Sequence, residues 1–331
     1  MWYPRSVYRV FHNMRAKRRG SPVWPSGFAD RLTHPTPSLK AVTKLMLSGG
    51  MRPDLADASR IPVTAARRLE PVAADQVAVT WVGHATCVVR LGGMTVLTDP
   101  VWSQRLPGVR KRMTPPGLPL EAVGRIDAVV ISHDHFDHLD APTVKRLPRD
   151  TPMFVPAGLA WWFHRLGFHQ VTELDWWQSA SIGTVTAHFV PSHHWSRRTP
   201  FDACSSLWGG WVLSTGSEAS RRSVYFAGDS AYGDYFAQIG QRFPGLDIAL
   251  MPVGAFQPRW FMKPLHMNPA EAVKACGQLG ASRMATIHWG AFALSAEKPM
   301  EPIELTRKAW ADAGRAEDDL WDLAVGQTRV L

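Results

Sequence analysis

Four side chains able to hold a metal ion fall within six residues: His133, His135, Asp137 and His138, in the run Ile131-Ser132-His133-Asp134-His135-Phe136-Asp137-His138. Imidazole and carboxylate donors suit zinc and similar first-row ions. One tetrahedral ion rarely takes four donors so close together in sequence. The spacing therefore points to two adjacent ions, each completed by residues from elsewhere in the chain. A pair of ions about 3.5–4 Å apart lowers the pKa of a shared water towards neutrality, and the resulting hydroxide can attack a phosphoryl or carbonyl centre.

Three later segments offer further donors, each in the order strand, polar residue, turn. Val190-Pro191-Ser192-His193-His194-Trp195 holds two histidines. Tyr225-Phe226-Ala227-Gly228-Asp229-Ser230 holds a carboxylate beside a glycine, and Ala285-Thr286-Ile287-His288-Trp289-Gly290 a histidine after an apolar run. A single histidine after a strand is usually a satisfied structural residue. Following the first cluster, in the order His, Asp, His, the three segments read as a set. His193 and His194 compete for one place, because adjacent residues of an extended segment point in opposite directions.

The elements that must position these residues can be read in outline. The apolar run 126–131 predicts a buried strand leading into the histidine cluster. Strands are also predicted over 77–80, 87–91 and 94–98, the last two joined by a Gly92-Gly93 hairpin turn. Others are predicted over 187–190, 207–213, 224–227, 248–252 and 284–287, and a short aromatic helix over 159–166. Asn268-Pro269-Ala270-Glu271 reads as a helix start, with Asn as the cap, Pro in the first position and Glu reaching back; Gly280 reads as its end. Strands with interspersed helices, and chemistry at strand ends, describe a layered α/β domain. Residues 1–76 differ, being punctuated by prolines from Pro22 to Pro71. They predict an extension without long helices that wraps or precedes the main domain.

The 331 residues are 45% hydrophobic and 20% charged, which is ordinary for a globular protein. No apolar run approaches the roughly 18 residues that suggest a transmembrane helix. No apolar signal-peptide core follows the basic N-terminal stretch, so the expected location is the cytoplasm. Cys87, Cys204 and Cys276 are far apart and form no CxxC pair. They are expected as reduced, buried thiols rather than a zinc knuckle or a disulfide framework. Net charge is +9, and Arg5, Arg9, Arg15, Lys17, Arg18 and Arg19 precede the first acid, Asp30. Trp2, Tyr3, Tyr8 and Phe11 are interleaved with them. Such an arm can lie on an anionic membrane surface, bind nucleic acid, or remain a solvated tail.

The series His133-x-His135-x-Asp137-His138, then His194, Asp229 and His288, resembles the metallo-β-lactamase superfamily over roughly residues 77–295. Narrower matches are Gly83-His84-Ala85-Thr86, Thr98-Asp99-Pro100, His194-Trp195, Leu207-Trp208-Gly209, Phe226-Ala227-Gly228-Asp229, Pro258-Arg259-Trp260-Phe261-Met262 and Ile287-His288-Trp289-Gly290. Together these resemble the N-acyl-phosphatidylethanolamine-hydrolysing phospholipase D group. The resemblance implies an αββα sandwich as catalytic domain over 77–331, preceded by the extension over 1–76. It implies two zinc ions, one held by His133, His135 and His194, the other by Asp137, His138 and His288, with Asp229 bridging. Asp137 is counted with the catalytic residues, as is His266, which is expected to hydrogen-bond the phosphoryl oxygen or help protonate the leaving group. Asp99 is expected to accept a hydrogen bond from a ligating imidazole, and His84 to support the site from behind its ligands.

The implied reaction is hydrolysis of a phospholipid of this type to phosphatidic acid and an N-acylethanolamine. The implied partner is a membrane rather than nucleic acid, met peripherally on its inner face by a homodimer. Among the 15 tryptophans, Trp161 and Trp162 are the expected interfacial residues. A lactonase or nuclease of the same superfamily, or a membrane-associated metal-binding module without turnover, are the alternatives. No large insertion of the kind some such nucleases carry separates Asp229 from His288. Retention of all seven donors counts against the module without turnover.

Overall fold

The strands alternate between two apolar faces, and each face finds its own core. A computed structural model describes residues 24–50, 52, 54–64, 68–216 and 221–331. The basic, aromatic arm of residues 2–19 lies outside the described residues. One sheet contains β1 (Val77–Gly83), β2 (Thr86–Leu91), β3 (Met94–Thr98), β4 (Ala128–Val130), β5 (Met153–Pro156), β6 (Val171–Leu174) and, at its edge, β14 (Thr328–Val330). The other contains β7 (Ser179–Ile182), β8 (Val185–Val190), β9 (Gly210–Thr215), β10 (Arg222–Phe226), β11 (Ile248–Pro252), β12 (Arg283–Ile287) and β13 (Leu320–Trp321). Their orders are β14-β1-β2-β3-β4-β5-β6 and β13-β12-β11-β10-β9-β8-β7.

Period-2 alternation explains the layering. Cys87, Val89, Ala128 and Val130 of the first sheet meet Phe189, Trp211 and Phe226 of the second in one core. Their neighbours Val88, Val129 and Ile131 face outward into another core, closed by Leu159, Phe163 and Phe168. Burying a side chain such as Phe189 or Phe226 stabilises the fold by about 1.5–3 kcal/mol. The helices are α1 (Leu39–Leu47), α2 (Ala160–His164), α3 (Tyr235–Arg242), α4 (Pro269–Leu279) and α5 (Glu301–Asp312), with single turns at Ala141–Val144 and Arg259–Met262. α4 packs on β11 and β12 and against α3 and α5. The result is two mixed sheets flanked by helices, the αββα sandwich.

The local signals read from the sequence mostly form as predicted. Gly92 and Gly93 turn β2 into β3 at φ 59° and 74°, a region that favours glycine. Asn268 and Glu271 exchange backbone hydrogen bonds of 2.8 and 2.9 Å at the start of α4, and Gly280 closes it at φ 65°. Such a cap is worth about 1 kcal/mol. The strand predicted over 207–213 instead starts at Gly210. Leu207 N–H donates to Ala157 O at 2.9 Å and Gly209 N–H to Ser132 O at 3.0 Å, so these groups bond to strand-end loops of the opposite sheet.

Part of the segment before residue 76 is packed onto the domain. Phe28 is buried and its N–H donates to Cys204 O at 2.7 Å. Arg31 forks onto Asp175 at 2.7 and 2.9 Å. Thr64 N–H donates to Val325 O and Val325 N–H to Pro62 O, at 2.7 and 2.9 Å. Cys87, Cys204 and Cys276 are free and buried. No helix among the described residues is long and apolar enough to cross a membrane.

Candidate metal centre

Both sheets deliver polar residues to one edge of the sandwich. The loop after β4 brings His133, His135, Asp137 and His138; the ends of β8, β10 and β12 are followed by His194, Asp229 and His288. His133, His135 and His194 form one group of converging donor atoms, and His84, Asp137, His138 and His288 another. Asp229 lies between the groups. Its Oδ2 is 3.2 Å from His138 Nε2, 3.3 Å from His288 Nε2, 3.8 Å from His194 Nε2 and 3.9 Å from His133 Nε2. Gly228, at φ 59°, permits this approach: a Cβ there would lie 2.4 Å from the Ser132 Cβ.

Three residues at the centre sit in the left-handed region that L side chains rarely adopt: His84 at φ 56°, Asp99 at 32° and His288 at 62°. Strain of this kind persists only where surrounding bonds hold it, and it concentrates at functional sites. Here the bonds join strand ends, and one of them crosses between the sheets. His288 N–H and Trp81 Nε1–H both donate to the His84 carbonyl, at 3.0 and 2.8 Å. Thr86 Oγ1 donates to the Asp99 carbonyl at 2.7 Å, and Thr98 Oγ1 to the Ala85 carbonyl at 2.9 Å. The two short motifs around His84 and Asp99 are thus one interlocked unit.

Residues 94–289 match the Beta-lactamase superfamily domain. The chain belongs to the metallo-β-lactamase superfamily. It is 39% identical to N-acyl-phosphatidylethanolamine-hydrolyzing phospholipase D 1 of Caenorhabditis elegans, over 67% of this chain and 67% of the worm protein. It is 33% identical to the mitochondrial N-acyl-phosphatidylethanolamine-hydrolyzing phospholipase D of Saccharomyces cerevisiae, over 76% of this chain and 55% of the yeast protein. A metallo hydrolase of Ignicoccus hospitalis shares the fold, with TM-score 0.59 and 21% identity over 77% of this chain and 98% of that one. The protein is a metal-dependent hydrolase of this superfamily.

The donor set of this superfamily member fits metal ions. His138 Nε2, His288 Nε2, Asp229 Oδ1 and His266 Nδ1 are buried with no hydrogen-bond partner. Each such atom costs about 1–3 kcal/mol unless something satisfies it. His135 Nδ1 faces His133 Nε2 at 2.9 Å and His194 Nε2 at 3.2 Å. One proton among these three nitrogens can serve a single pair, whereas a cation serves all three.

The outer nitrogens set the tautomers that leave the inner ones free. His138 Nδ1–H donates to Asp99 Oδ2 at 2.7 Å and His194 Nδ1–H to the Leu265 carbonyl at 3.1 Å. His133 Nδ1–H donates to Ser132 Oγ at 2.9 Å, and that hydroxyl donates onward to Asp99. His84 Nε2–H donates to Asp137 Oδ2 at 2.9 Å. Burial holds His135 at about 3 and His194 at about 4, as neutral imidazoles. Burial works against ionising Asp229, but His138 and His288 overcome it and hold its carboxyl well below the usual range. His135 and His194 are thus in the neutral state that ligates and Asp229 in the ionised one, while at His138 and His288 burial is outweighed by Asp229 and Asp137, which raise the pKa, so those two rings would give up a proton on binding a metal.

The remaining predicted residues fall as follows. Asp99 lies behind the donors, bonded to His138, whereas His84 stands among the second group with its Nε2 on Asp137. His266 reaches the centre, its Nδ1 3.9 Å from Asp229 Oδ2. Arg259 holds that segment by donating to the His266 carbonyl at 2.9 Å and to Glu271 at 2.8 Å. His193 turns away and packs edge-on against Tyr235, with ring centroids 4.7 Å apart. Two contributors have no signal of their own in the sequence. Ser132 links His133 to Asp99. Arg198 donates to the carbonyls of Asp134 and Leu139, both at 2.8 Å, and so clamps the two ends of the ligand loop.

Proposed function

We propose that this hydrolase cleaves the phosphodiester bond of N-acyl-phosphatidylethanolamine-type lipids, releasing phosphatidic acid and an N-acylethanolamine. One observation carries the reading: the seven His and Asp donors gather at one sheet edge of a chain 39% identical to an enzyme named for that reaction. His133, His135 and His194 would hold one zinc ion, and Asp137, His138 and His288 the other, with Asp229 shared. Bound there, the pair would supply a water acidified towards neutral pH and positive charge for the phosphoryl oxygens.

The chain's own residues do the rest. Asp99 and Ser132 keep the ring protons of His138 and His133 on the outer nitrogens, so the inner lone pairs face the centre. His84 orients Asp137 through its Nε2–H. His266, held neutral by burial, can hydrogen-bond a phosphoryl oxygen or carry a proton towards the leaving alkoxide.

The test is a panel of substrates offered to purified, zinc-loaded protein: N-acyl-phosphatidylethanolamine vesicles, unmodified phosphatidylethanolamine, a structured RNA and a lactone. Cleavage confined to the N-acylated lipid is the expected result. Turnover of RNA or lactone without lipid cleavage would replace this reading by a nuclease or lactonase. No turnover with full metal content would leave a binding module.

A further inference from the structure

Helix α1 shows its apolar residues to solvent. Leu39, Met46 and Leu47 are 83%, 64% and 84% exposed, whereas Leu45 alone is fully buried. At about 100° per residue, Leu39, Thr43, Met46 and Leu47 form one outward stripe, with Lys40 and Lys44 along one border. The helix carries no acidic residue. Lys44 lies over the Trp260 ring at 4.8 Å, and Trp260 is itself 49% exposed. The stripe therefore continues onto the turn Arg259–Met262, whose chain runs on to Leu265 and His266 at the metal centre.

Three large apolar side chains on two turns gain nothing from facing water. The same arrangement suits the boundary of an anionic bilayer. Apolar residues enter the acyl region there, while lysine stems reach up to lipid phosphates. We propose that α1 and Trp260 form the surface by which this enzyme docks on an anionic lipid bilayer, next to the metal centre. The inference takes its purpose from the phospholipase reading, but its test does not depend on turnover. It moves the membrane contact away from Trp161 and Trp162. Both are half-buried, and Trp162 lies against the Arg198 guanidinium at 5.5 Å.

The experiment is co-sedimentation of the full zinc-loaded chain with phosphatidylcholine vesicles, with and without phosphatidylglycerol. A triple variant, Leu39→Gln, Met46→Gln and Leu47→Gln, should bind anionic vesicles at least about tenfold more weakly. Its melting temperature and metal content should match the parent, since all three positions are exposed. Lys40→Gln should weaken binding to anionic vesicles and leave neutral ones unaffected. Parent-like vesicle binding by the triple variant would overturn the proposal. A triple variant that changes only its own oligomeric state would do so too, and would assign the face to a second copy of the chain. If the parent binds vesicles and the triple variant does not, yet no lipid is cleaved, the docking surface stands and the phospholipase reading fails.

Discussion

The two sheets repeat one pattern and use it unequally. Each runs three antiparallel strands into three parallel ones: β1-β2-β3 then β4-β5-β6, and β8-β9-β10 then β11-β12-β13. In the first half the donors are concentrated in the loop after β4. In the second they come singly, after β8, β10 and β12. The carboxylates at matching strand ends show the contrast best. Asp99 follows β3 and bonds Ser132 and His138 from behind the donors. Asp229 follows β10 and stands among them. Gly228 makes the difference by taking the left-handed turn one residue earlier, at φ 59°, where Asp99 must take it itself at φ 32°. A concentrated donor loop needs a buttress, whereas dispersed donors need two sheets held in register.

Substitution of the matching aspartates tests this division directly. Asp229→Ala should lower hydrolysis by about 10³-fold or more and reduce bound metal below two per chain. Retention of both metals and full activity would refute the shared-ligand assignment. Asp99→Asn should weaken metal affinity by about 10–100-fold through loss of tautomer control, with the ligands still present. Equal damage from the two substitutions, measured by metal titration, would erase the distinction between buttress and ligand.

Acid provides a milder probe, applied to protein stripped of metal by a chelator. Burial holds His84 at about 3, His135 at about 3 and His194 at about 4, against about 6.5 in an unfolded chain. Between those values the unfolded chain binds more protons, so stability should fall as pH drops below about 6.5, by up to about 1.4 kcal/mol per pH unit for each such histidine. His288 opposes the trend. Burial lowers its pKa, but Asp229 and Asp137 outweigh that and raise it to about 9, so its contribution is complete below about 6.5 and lost as pH rises through 9. Urea unfolding across pH measures the sum, and a flat profile from pH 7 to 4 would contradict the burial of these imidazoles. The smallest effect is expected at the interlock: Thr98→Val, which unpairs the Cys87 N–H and the Ala85 carbonyl, should cost about 1–3 kcal/mol of stability while leaving the donor set intact. A large loss of bound metal there would mean that Thr98 positions the site as well as the fold.

Sequence patterns reveal strands where both faces are apolar or where a turn announces itself. β1, β2, β3, β4 and β11 meet one of those conditions, and the capped helix α4 meets the helical equivalent. β6 and β7 do not, because residues such as Thr172, Glu173, Ser179 and Ser181 face partly into water and hide the alternation. Donors were legible because histidine and aspartate after apolar runs are chemically conspicuous. Ser132 and Arg198 were not, since serine and arginine are common in loops and act here by meeting carbonyls and side chains remote in sequence. For the same reason nothing in the order of residues separates the exposed apolar face of α1 from a buried one.

By itself the sequence determined that His133, His135, Asp137 and His138 form a cluster able to bind metal, because those donors are neighbours in the chain and need only one loop. It also offered Asp229, His288 and one of His193 and His194 as companions. Only the tertiary structure decided how they combine: which nitrogen of each ring faces inward, that Asp229 rather than Asp99 stands between the groups, and that His193 turns away. Those outcomes depend on contacts between strand ends brought together by the packing of two sheets, and short-range pattern cannot encode distances across a fold.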